Sequence, residues 1–267
     1  MKNLKKIIAV LLAVLMIGAA FAACSAKTGT DEPAESDLAY IQNKGTLVIG
    51  ITEYEPMNYK DENGEWTGFD TEFAVVVCNR LGLTPQFQEV DWDNKHLELN
   101  AKSVDCIWNG MTLTPEVLAA MDCTDPYAMN AQVVVMAADK AADYSTVESL
   151  ADLTFAVESG SAGEEVLTEA GYGDNATAVA AQSDALMEVA SGSVDACVID
   201  ITMANAMTGE GTSYADLGIA VELNSEQYGI GFRQGSDMVA EVNAIIADLK
   251  ADGTLQALAD KYGITLA

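Results

Sequence analysis

The sequence predicts an α/β protein of two lobes, joined by two chain crossings that form a hinge. Short apolar runs typical of buried strands alternate with helical runs along most of the chain, and this alternation predicts sheets covered by helices. The pattern occurs in two successive series, so each lobe is expected to hold a mixed, mostly parallel sheet flanked by helices. Helical runs follow the second series, which indicates that the C-terminal segment returns to complete the first lobe.

The first series begins with a short buried strand at 46–50. A run with helical spacing follows at 69–81, and Gly82 directly after it is a good C-cap. The rest of this series consists of predicted strands at 85–90, 105–108 and 132–136, and predicted helices at 96–102 and 114–121.

The second series contains predicted helices at 147–150, 163–170 and 183–190, and predicted strands at 155–157, 177–180 and 196–199. Strands at 219–223 and 228–232 and helices at 238–251 and 255–262 complete the chain. This order requires crossings near 132–140 and 223–230, so lobe I is expected at 38–133 and 227–267 and lobe II at 134–226. Because open α/β sheets bind ligands at the carboxyl ends of their strands, the crevice between the lobes is the expected site.

The N-terminus predicts export. Lys2, Lys5 and Lys6 precede an apolar run that ends at Ala23, the layout of a secretory signal peptide over 1–23. Cys24 follows small residues, as in a bacterial lipobox, in which the cysteine is lipidated. The alternative is an uncleaved anchor or an ordinary signal with an incidental cysteine. In either case the rest of the chain is expected outside the cytoplasm, with 24–37 as a polar tether.

Charge and composition exclude several functions. Removal of 1–23 takes away three lysines and no acids, which lowers the net charge from −28 to −31. So acidic a chain, without a basic patch, is not expected to bind nucleic acid. The single histidine, His96, and the scattered cysteines lack metal-ligand spacing, so no metal or cofactor is expected. A disulfide between Cys106 and Cys123 is left open, because spacing alone cannot show that the two side chains meet.

A set of short motifs then carries a family resemblance. The motifs are GTLVIG (45–50), YEPM (54–57), GEWTGFD (64–70), DCIWNGMTLTPE (105–116), TDPY (124–127), SLADL (149–153), VESGS (157–161), VDACVID (194–200), YGIGFR (228–233) and DGT (252–254). In this order they resemble the extracellular solute-binding proteins of family 3, which serve ABC importers of polar amino acids. The resemblance covers about residues 40–265. It implies the two-lobed type II periplasmic-binding fold.

The resemblance also implies the residues of a ligand site. Tyr54 and Trp92 match aromatic residues on either side of the ligand, and Asp200 matches the acid that binds its α-amino group. The remaining residues match loops that offer hydrogen bonds and lie near a helix N-terminus; they are Asn109, Gly110, Thr112, Ser161 and Ala162.

Two positions depart from the family pattern. Val117 stands where an arginine usually binds the ligand's α-carboxylate, and Glu158 stands where the residue is often neutral. One interpretation is a cationic or amine ligand held by Asp200 and Glu158, with Tyr54, Trp92 and Trp66 as an aromatic cage. The other interpretation is a carboxylate held by Thr112, Ser161 and backbone amides alone. The residues leave both open.

We therefore expect a monomer that captures an amino acid or amine without a cofactor and delivers it to a membrane permease. Two alternatives remain. One is an enzyme of the same fold, similar to dehydratases, although no nucleophile, metal cluster or catalytic triad supports it. The other is a ligand sensor that acts with a separate signalling partner.

Overall fold

The computed structural model describes residues 36–267. The predicted signal peptide, Cys24 and nearly all of the predicted tether lie outside the described residues. The strands are β1 (Thr46–Ile51), β2 (Tyr59–Lys60), β3 (Trp66–Thr67), β4 (Thr84–Glu89), β5 (Cys106–Thr112), β6 (Asp122–Cys123), β7 (Ala128–Asn130), β8 (Gln132–Ala137), β9 (Phe155–Glu158), β10 (Ala176–Val179), β11 (Ala196–Asp200), β12 (Leu217–Glu222) and β13 (Glu226–Phe232).

Nine α-helices are found in the described part of the chain, together with short 3₁₀ turns at Trp92–Asn94, Ala141–Asp143, Val147–Leu150 and Gly173–Asn175. The α-helices are α1 (Asp37–Lys44), α2 (Phe69–Leu81), α3 (Lys95–Asn100), α4 (Pro115–Ala120), α5 (Ala162–Glu169), α6 (Gln182–Ser191), α7 (Ile201–Met207), α8 (Met238–Ala251) and α9 (Thr254–Tyr262).

The first sheet has the strand order β4-β1-β5-β13-β6, with β7 also paired to β13. The apolar strand β1 lies between β4 and β5, is buried along nearly its whole length and runs parallel to both neighbours. A strand that is covered on both faces is expected to be apolar throughout, which explains the TLVIGI sequence. β13 is antiparallel to β5, β6 and β7. The chain after β12 therefore returns to the first sheet.

The second sheet has the order β10-β9-β11-β8-β12. β9 runs parallel to β10 and β11, whereas β8 is antiparallel to β11 and β12. Both sheets are mixed, as predicted. The expectation that parallel pairs dominate holds only for β4-β1-β5 and β10-β9-β11, because strands next to the chain crossings enter each sheet in the opposite direction.

The two sheets are connected by two short crossings that lie side by side. The chain leaves the first sheet at Asn130 and enters the second at Gln132, and it returns between Glu222 and Glu226. The backbone N–H of Leu223 donates to the carbonyl of Gln132 over 2.8 Å. The first crossing, between Asn130 and Gln132, is shorter than the crossing predicted at 132–140. The expected lobe boundaries after 133 and after 226 fall just inside β8 and β13.

Several element boundaries follow directly from local chemistry. α2 spans the predicted 69–81 and ends at Gly82, whose φ of +70° is the left-handed cap conformation. α3 ends at Asn100 rather than at the predicted 102, because Lys102 has a φ of +60° that a helix cannot accommodate. β5 continues to Thr112, beyond the predicted 108, because β13 pairs with its second half.

An apolar cluster in lobe I supports the site described below. It is formed by Val48, Trp92, Leu99, Val104, Ile107, Met111, Val117 and Met121.

The cysteines of the described residues are free thiols; they are Cys78, Cys106, Cys123 and Cys197. Cys106 and Cys123 are therefore not joined in this structure. Across 36–267, the structure shows no helix whose length and apolarity would allow it to cross a membrane.

Candidate functional site

A cavity of about 340 Å³ lies between the lobes, and both lobes line it. Lobe I contributes the Trp92–Asn94 turn, α3, β5 and α4, while lobe II contributes β8, β9, α5, α6 and β11. Glu158 and Asp200 are the last residues of β9 and β11, so the site lies at strand carboxyl ends as expected for an open α/β sheet. The predicted site residues on the cavity wall are Trp92, Asn109, Gly110, Thr112, Glu158, Ser161, Ala162 and Asp200.

Tyr54 is the predicted site residue that does not line the cavity. It is buried, and its hydroxyl lies 2.6 Å from the hydroxyl of Tyr228. It packs against Gly110 of the cavity wall, since a Cβ on Gly110 would lie 2.7 Å from Cε1 of Tyr54. Trp66, the third candidate for an aromatic cage, is also outside the lining residues.

Asn109 and Gly110 reach the cavity wall with their polar groups already engaged. The Asn109 side chain donates to Thr52 Oγ1 over 2.7 Å and accepts from Asn58 Nδ2 over 2.8 Å. The Gly110 N–H donates to Asp70 Oδ2 over 2.6 Å. The expectation that a loop offers these groups to the ligand is corrected, because both residues lie within β5 and bind neighbouring protein groups.

Asp70 is a buried acid beneath the site that the sequence reasoning did not single out. Its carboxylate accepts from Gly110 N–H and, over 2.8 Å, from the Tyr127 hydroxyl. Burial raises the pKa of Asp70 to about 7, against the lowering effect of these hydrogen bonds. Asp70 fixes the backbone of β5 at Gly110 through this hydrogen bond and does not line the cavity.

Asp200 lines the cavity and is surrounded by side-chain amides. It accepts hydrogen bonds from Asn130 Nδ2 at 2.6 Å, Gln132 Nε2 at 2.5 Å and Gln182 Nε2 at 2.5 Å. Burial and then the nearby Glu226 carboxylate raise the pKa of Asp200 to about 7. The amides satisfy the carboxylate oxygens without cancelling their charge. The sequence reasoning missed all three, although Gln132 is a visible polar interruption at the start of an apolar strand.

Asn130 and Gln132 bind a second carboxylate as well. Glu226 Oε1 accepts from Asn130 Nδ2 over 2.7 Å, from Gln132 Nε2 over 2.8 Å and from Thr112 Oγ1 over 2.7 Å. The hydroxyl proton of Thr112 is therefore used within the protein. Glu226 is the first residue after the return crossing, so this network connects the cavity wall to the hinge.

Glu158 differs from Asp200 in that one of its carboxylate oxygens has no hydrogen-bond partner. Its side chain is only 3 % exposed, and its Oε1 atom has no hydrogen-bond partner. Burial and then the charge of Asp200 raise the pKa of Glu158 to about 8. A buried carboxylate with an unpaired oxygen is costly unless a donor or cation arrives.

Lys95 is the lysine of the cavity wall, and the sequence reasoning missed it because DNK at 93–95 resembles a solvated turn. Its Nζ atom donates to the carbonyls of Trp92 at 3.1 Å and Gly160 at 2.9 Å, and it lies 4.8 Å from the centre of the Trp92 ring. The bond to Gly160 joins the lobes. Burial lowers the pKa of Lys95, against the opposing effect of Glu158.

The lobes also touch through the backbone. A Cβ added to Gly160, whose φ is +68°, would lie 2.7 Å from Cα of Asp93. Gly160 N–H donates to Glu164 Oε2 over 2.8 Å, and Ser161 Oγ accepts from Glu164 N–H over 3.2 Å. This reciprocal pattern caps the N-terminus of α5 on the cavity wall. The two lobes are therefore in direct contact around the cavity.

Val117 faces the cavity, so the position that lacks an arginine does belong to the site. The two arginines of the chain lie elsewhere. Arg233 binds Asp37 over 2.8 Å, and Arg80 binds Asp252 over 3.0 Å. In the described residues, no group of three or more His, Cys, Asp or Glu side chains could hold a metal ion.

Two lobes with mixed sheets, a double crossing and a polar cavity between them define a two-lobed solute-binding protein. The family model of bacterial extracellular solute-binding proteins, family 3, matches residues 47–265, and the chain belongs to this family. The expected type II periplasmic-binding fold is confirmed.

Named relatives agree with this assignment. The chain is 32% identical over 270 residues to the L-cystine-binding protein TcyA of Bacillus subtilis (strain 168), covering 97% of each chain. It is similar to the structure of Tv2483 bound to L-arginine, at 29% identity and a TM-score of 0.78, over 86% of this chain and 96% of that one. It is also similar to the ancestral amino acid-binding protein AncCDT-1, a precursor of cyclohexadienyl dehydratase, at 30% identity and a TM-score of 0.78, over 85% and 99% of the two chains.

Proposed function

We propose that this protein captures a small nitrogen-bearing solute, an amino acid or a related amine, between its lobes and delivers it to an ABC permease. The observation that carries the proposal is the cavity itself, because lobe I and lobe II both line it and contact each other around it. Relatives named as binding proteins for cystine and arginine support a solute-binding role. No chemical step is part of the proposed function.

The charge of the cavity favours a ligand that carries an amine. Six carboxylates line it, against one lysine and one histidine; the acids are Glu116, Glu158, Glu164, Glu165, Glu169 and Asp200. Asp200 is the best-placed acid, because its neutral amide neighbours leave its charge uncompensated. A cation that enters a cavity walled by carboxylates gains charge-assisted hydrogen bonds.

Capture is coupled to closure in this proposal. A ligand shifts the lobes toward the closed form only by its higher affinity for that form. Contacts from both walls supply that difference, since Trp92 and Thr112 come from lobe I whereas Ser161 and Asp200 come from lobe II.

The site of action is proposed to be the outer side of the cell membrane. Cys24, which lies outside the described residues, would carry the lipid, and 24–37 would link it to the lobes. We propose a monomer, because one chain supplies both walls of the cavity. Labelling with a radioactive fatty acid in a bacterial host tests the anchor. Cys24→Ser should abolish the label and Ser25→Ala should keep it, whereas label on Cys24→Ser would contradict lipidation.

Isothermal titration calorimetry of the full chain in detergent micelles tests the function. The probes are the 20 common amino acids, cystine, polyamines and quaternary amines. We expect at least one probe to bind, and Asp200→Asn to weaken it by about 10- to 100-fold, the effect of a charged hydrogen bond. The exposed Asp139→Asn is the matched control. A folded protein that binds none of these probes, or that converts a bound probe chemically, would contradict the proposal.

A further inference from the structure

We propose that Lys95 and Glu158 are the two charged poles of the ligand site, so that the cavity selects a zwitterion. Lys95 would bind the ligand's carboxylate from lobe I, and Glu158 would bind its ammonium group from lobe II, beside Asp200. This inference rests on the proposed function, and what it adds is the role of Lys95, which would replace the arginine missing at position 117 as the partner of the ligand's carboxylate.

The ammonium group of Lys95 is incompletely hydrogen-bonded by the protein. An ammonium group has three donors, and the protein takes two of them through the carbonyls of Trp92 and Gly160. The side chain is 8 % exposed and lines the cavity. Among residues 36–267, the ion pairs within 4.0 Å involve other basic side chains. A buried ammonium without a counter-ion is costly, and a bound carboxylate would remove that cost.

The two buried acids of lobe II, Asp200 and Glu158, differ in how far their oxygens are hydrogen-bonded. Asp200 already accepts three amide hydrogen bonds, whereas Glu158 Oε1 has none and is fully buried on the same wall. Of these two buried acids, Glu158 is therefore the one with an open acceptor. Burial raises the pKa of Glu158 and lowers the pKa of Lys95, and the attraction between the two charges only partly offsets these shifts.

On the lobe I wall, the neutral groups expected to bind the carboxylate are already engaged within the protein. Thr112 was one of the two hydroxyls expected to bind it, but its proton is donated to Glu226. Asn109 and the N–H of Gly110 are also engaged within lobe I. Val117 offers only van der Waals contact where an arginine is usual. Lys95 is the lysine on the lobe I wall of the cavity, and no arginine lines it.

The geometry also couples ligand charge to closure. Lys95, on the lobe I wall, donates one hydrogen bond to Gly160 of lobe II. Glu158, the second charged group, lies on the lobe II wall. A zwitterion between them would neutralise both desolvated groups only when the lobes are together. A ligand with two ammonium groups would satisfy Glu158 and Asp200 but would be repelled by Lys95.

The test compares amino acids with their decarboxylated counterparts. Calorimetry on the full chain in detergent micelles would use L-lysine with cadaverine, L-arginine with agmatine and L-cystine with cystamine. We expect at least one amino acid to bind more tightly than its amine. Lys95→Met should weaken that amino acid by about 10- to 100-fold and its amine by less than about threefold, because only the amino acid has a carboxylate to lose.

Further variants separate charge from fold. Lys95→Arg keeps a cation and should keep the preference for the amino acid. Glu158→Gln should weaken both members of the pair, since both carry the ammonium group. Lys60→Met and Glu210→Gln change the same charges on the exposed surface and should leave all affinities unchanged.

The outcomes distinguish this inference from the proposed function. A wild-type protein that binds no probe contradicts the proposed function, and the inference fails with it. A wild-type protein that binds probes, with Lys95→Met lowering amino acid and amine affinities equally or not at all, overturns the inference and leaves the proposed function intact. Tighter binding of the amine than of the amino acid by wild type would also overturn the inference and leave the proposed function intact.

Discussion

The substitution Glu158→Gln should stabilise the ligand-free protein at alkaline pH and have little effect at acidic pH. Glutamine keeps the shape of the side chain and removes its charge. Glu158 is 3 % exposed, and its Oε1 atom has no partner. Ionisation of this group in the folded protein therefore exposes a bare charge to a low-dielectric wall, close to the charge of Asp200.

The magnitude follows from the pKa of Glu158, which is about 8 in the folded protein against an ordinary value of 4.5. Because the folded-state pKa is raised, the stability that this carboxyl contributes is fully present below pH 4.5. It is lost progressively as the pH rises to about 8. At about 1.4 kcal/mol per pKa unit the full loss is about 5 kcal/mol, and water entering the open cavity reduces it, so we expect about 2–5 kcal/mol.

Urea unfolding followed by far-ultraviolet circular dichroism measures this difference. Wild type and Glu158→Gln should have equal free energies of unfolding at about pH 4.5, and the variant should be more stable by about 2–5 kcal/mol at about pH 8.5. Glu210→Gln, an exposed change in the same lobe, should stay within about 0.5 kcal/mol of wild type at both values. Equal stability of wild type and Glu158→Gln at alkaline pH would show that Glu158 is solvated or paired, and would refute the reasoning.

Three further predictions concern the same cavity. In the same urea titration, Gly110→Ala should destabilise the protein by about 2–4 kcal/mol, because it adds a contact of 2.7 Å with Tyr54 to the strain of a positive φ. In the control Gly82→Ala the new methyl group meets open space, so the free energy of unfolding should fall by only about 1 kcal/mol. Val117→Arg should tighten binding of the preferred amino acid by about tenfold and leave its decarboxylated amine unimproved, as measured by calorimetry; no change in either would show that position 117 does not reach the ligand. Ligand binding at pH 7 should release protons, because Glu158 and Asp200, with pKa values of about 8 and about 7, are wholly or partly protonated in the free protein and ionise beside the ligand's ammonium group. Calorimetry in phosphate and Tris buffers should give different enthalpies for wild type and a smaller difference for Glu158→Gln, in which only Asp200 still titrates; an unchanged difference would contradict ionisation of Glu158.

The elements of this fold that sequence predicts well are those whose signals are local. α2 and α8 occupy the predicted ranges because helical periodicity and, for α2, a glycine cap define them without reference to the rest of the chain. The direction in which β8 and β13 join their sheets is a property of the whole topology, so the balance of parallel and antiparallel pairs was predicted wrongly. The end of β5 was missed for the same reason, since its second half is a strand only because β13 lies beside it.

The site shows the same division between local and long-range information. Glu158 and Asp200 were predicted from the family resemblance, and each is the last residue of a short apolar strand, so both lie at one edge of the second sheet. The depth of a side chain could not be predicted in this way: Tyr54 is buried against Gly110 and is not among the residues that line the cavity. The pairing of Asp200 with Gln182 could not be predicted either, because it depends on how α6 packs against β11.

The choice of amides rather than cations around Asp200 bears directly on how such a site works. An arginine or lysine beside Asp200 would satisfy its oxygens and also cancel the charge that attracts an ammonium group. Asn130, Gln132 and Gln182 satisfy the oxygens and leave the charge in place. Asn130 and Gln132 stand on either side of the first crossing and also bind Glu226 at the second. A ligand that changes the charge or position of Asp200 thus acts on groups that both crossings share, which places the binding residue and the hinge in one hydrogen-bond network.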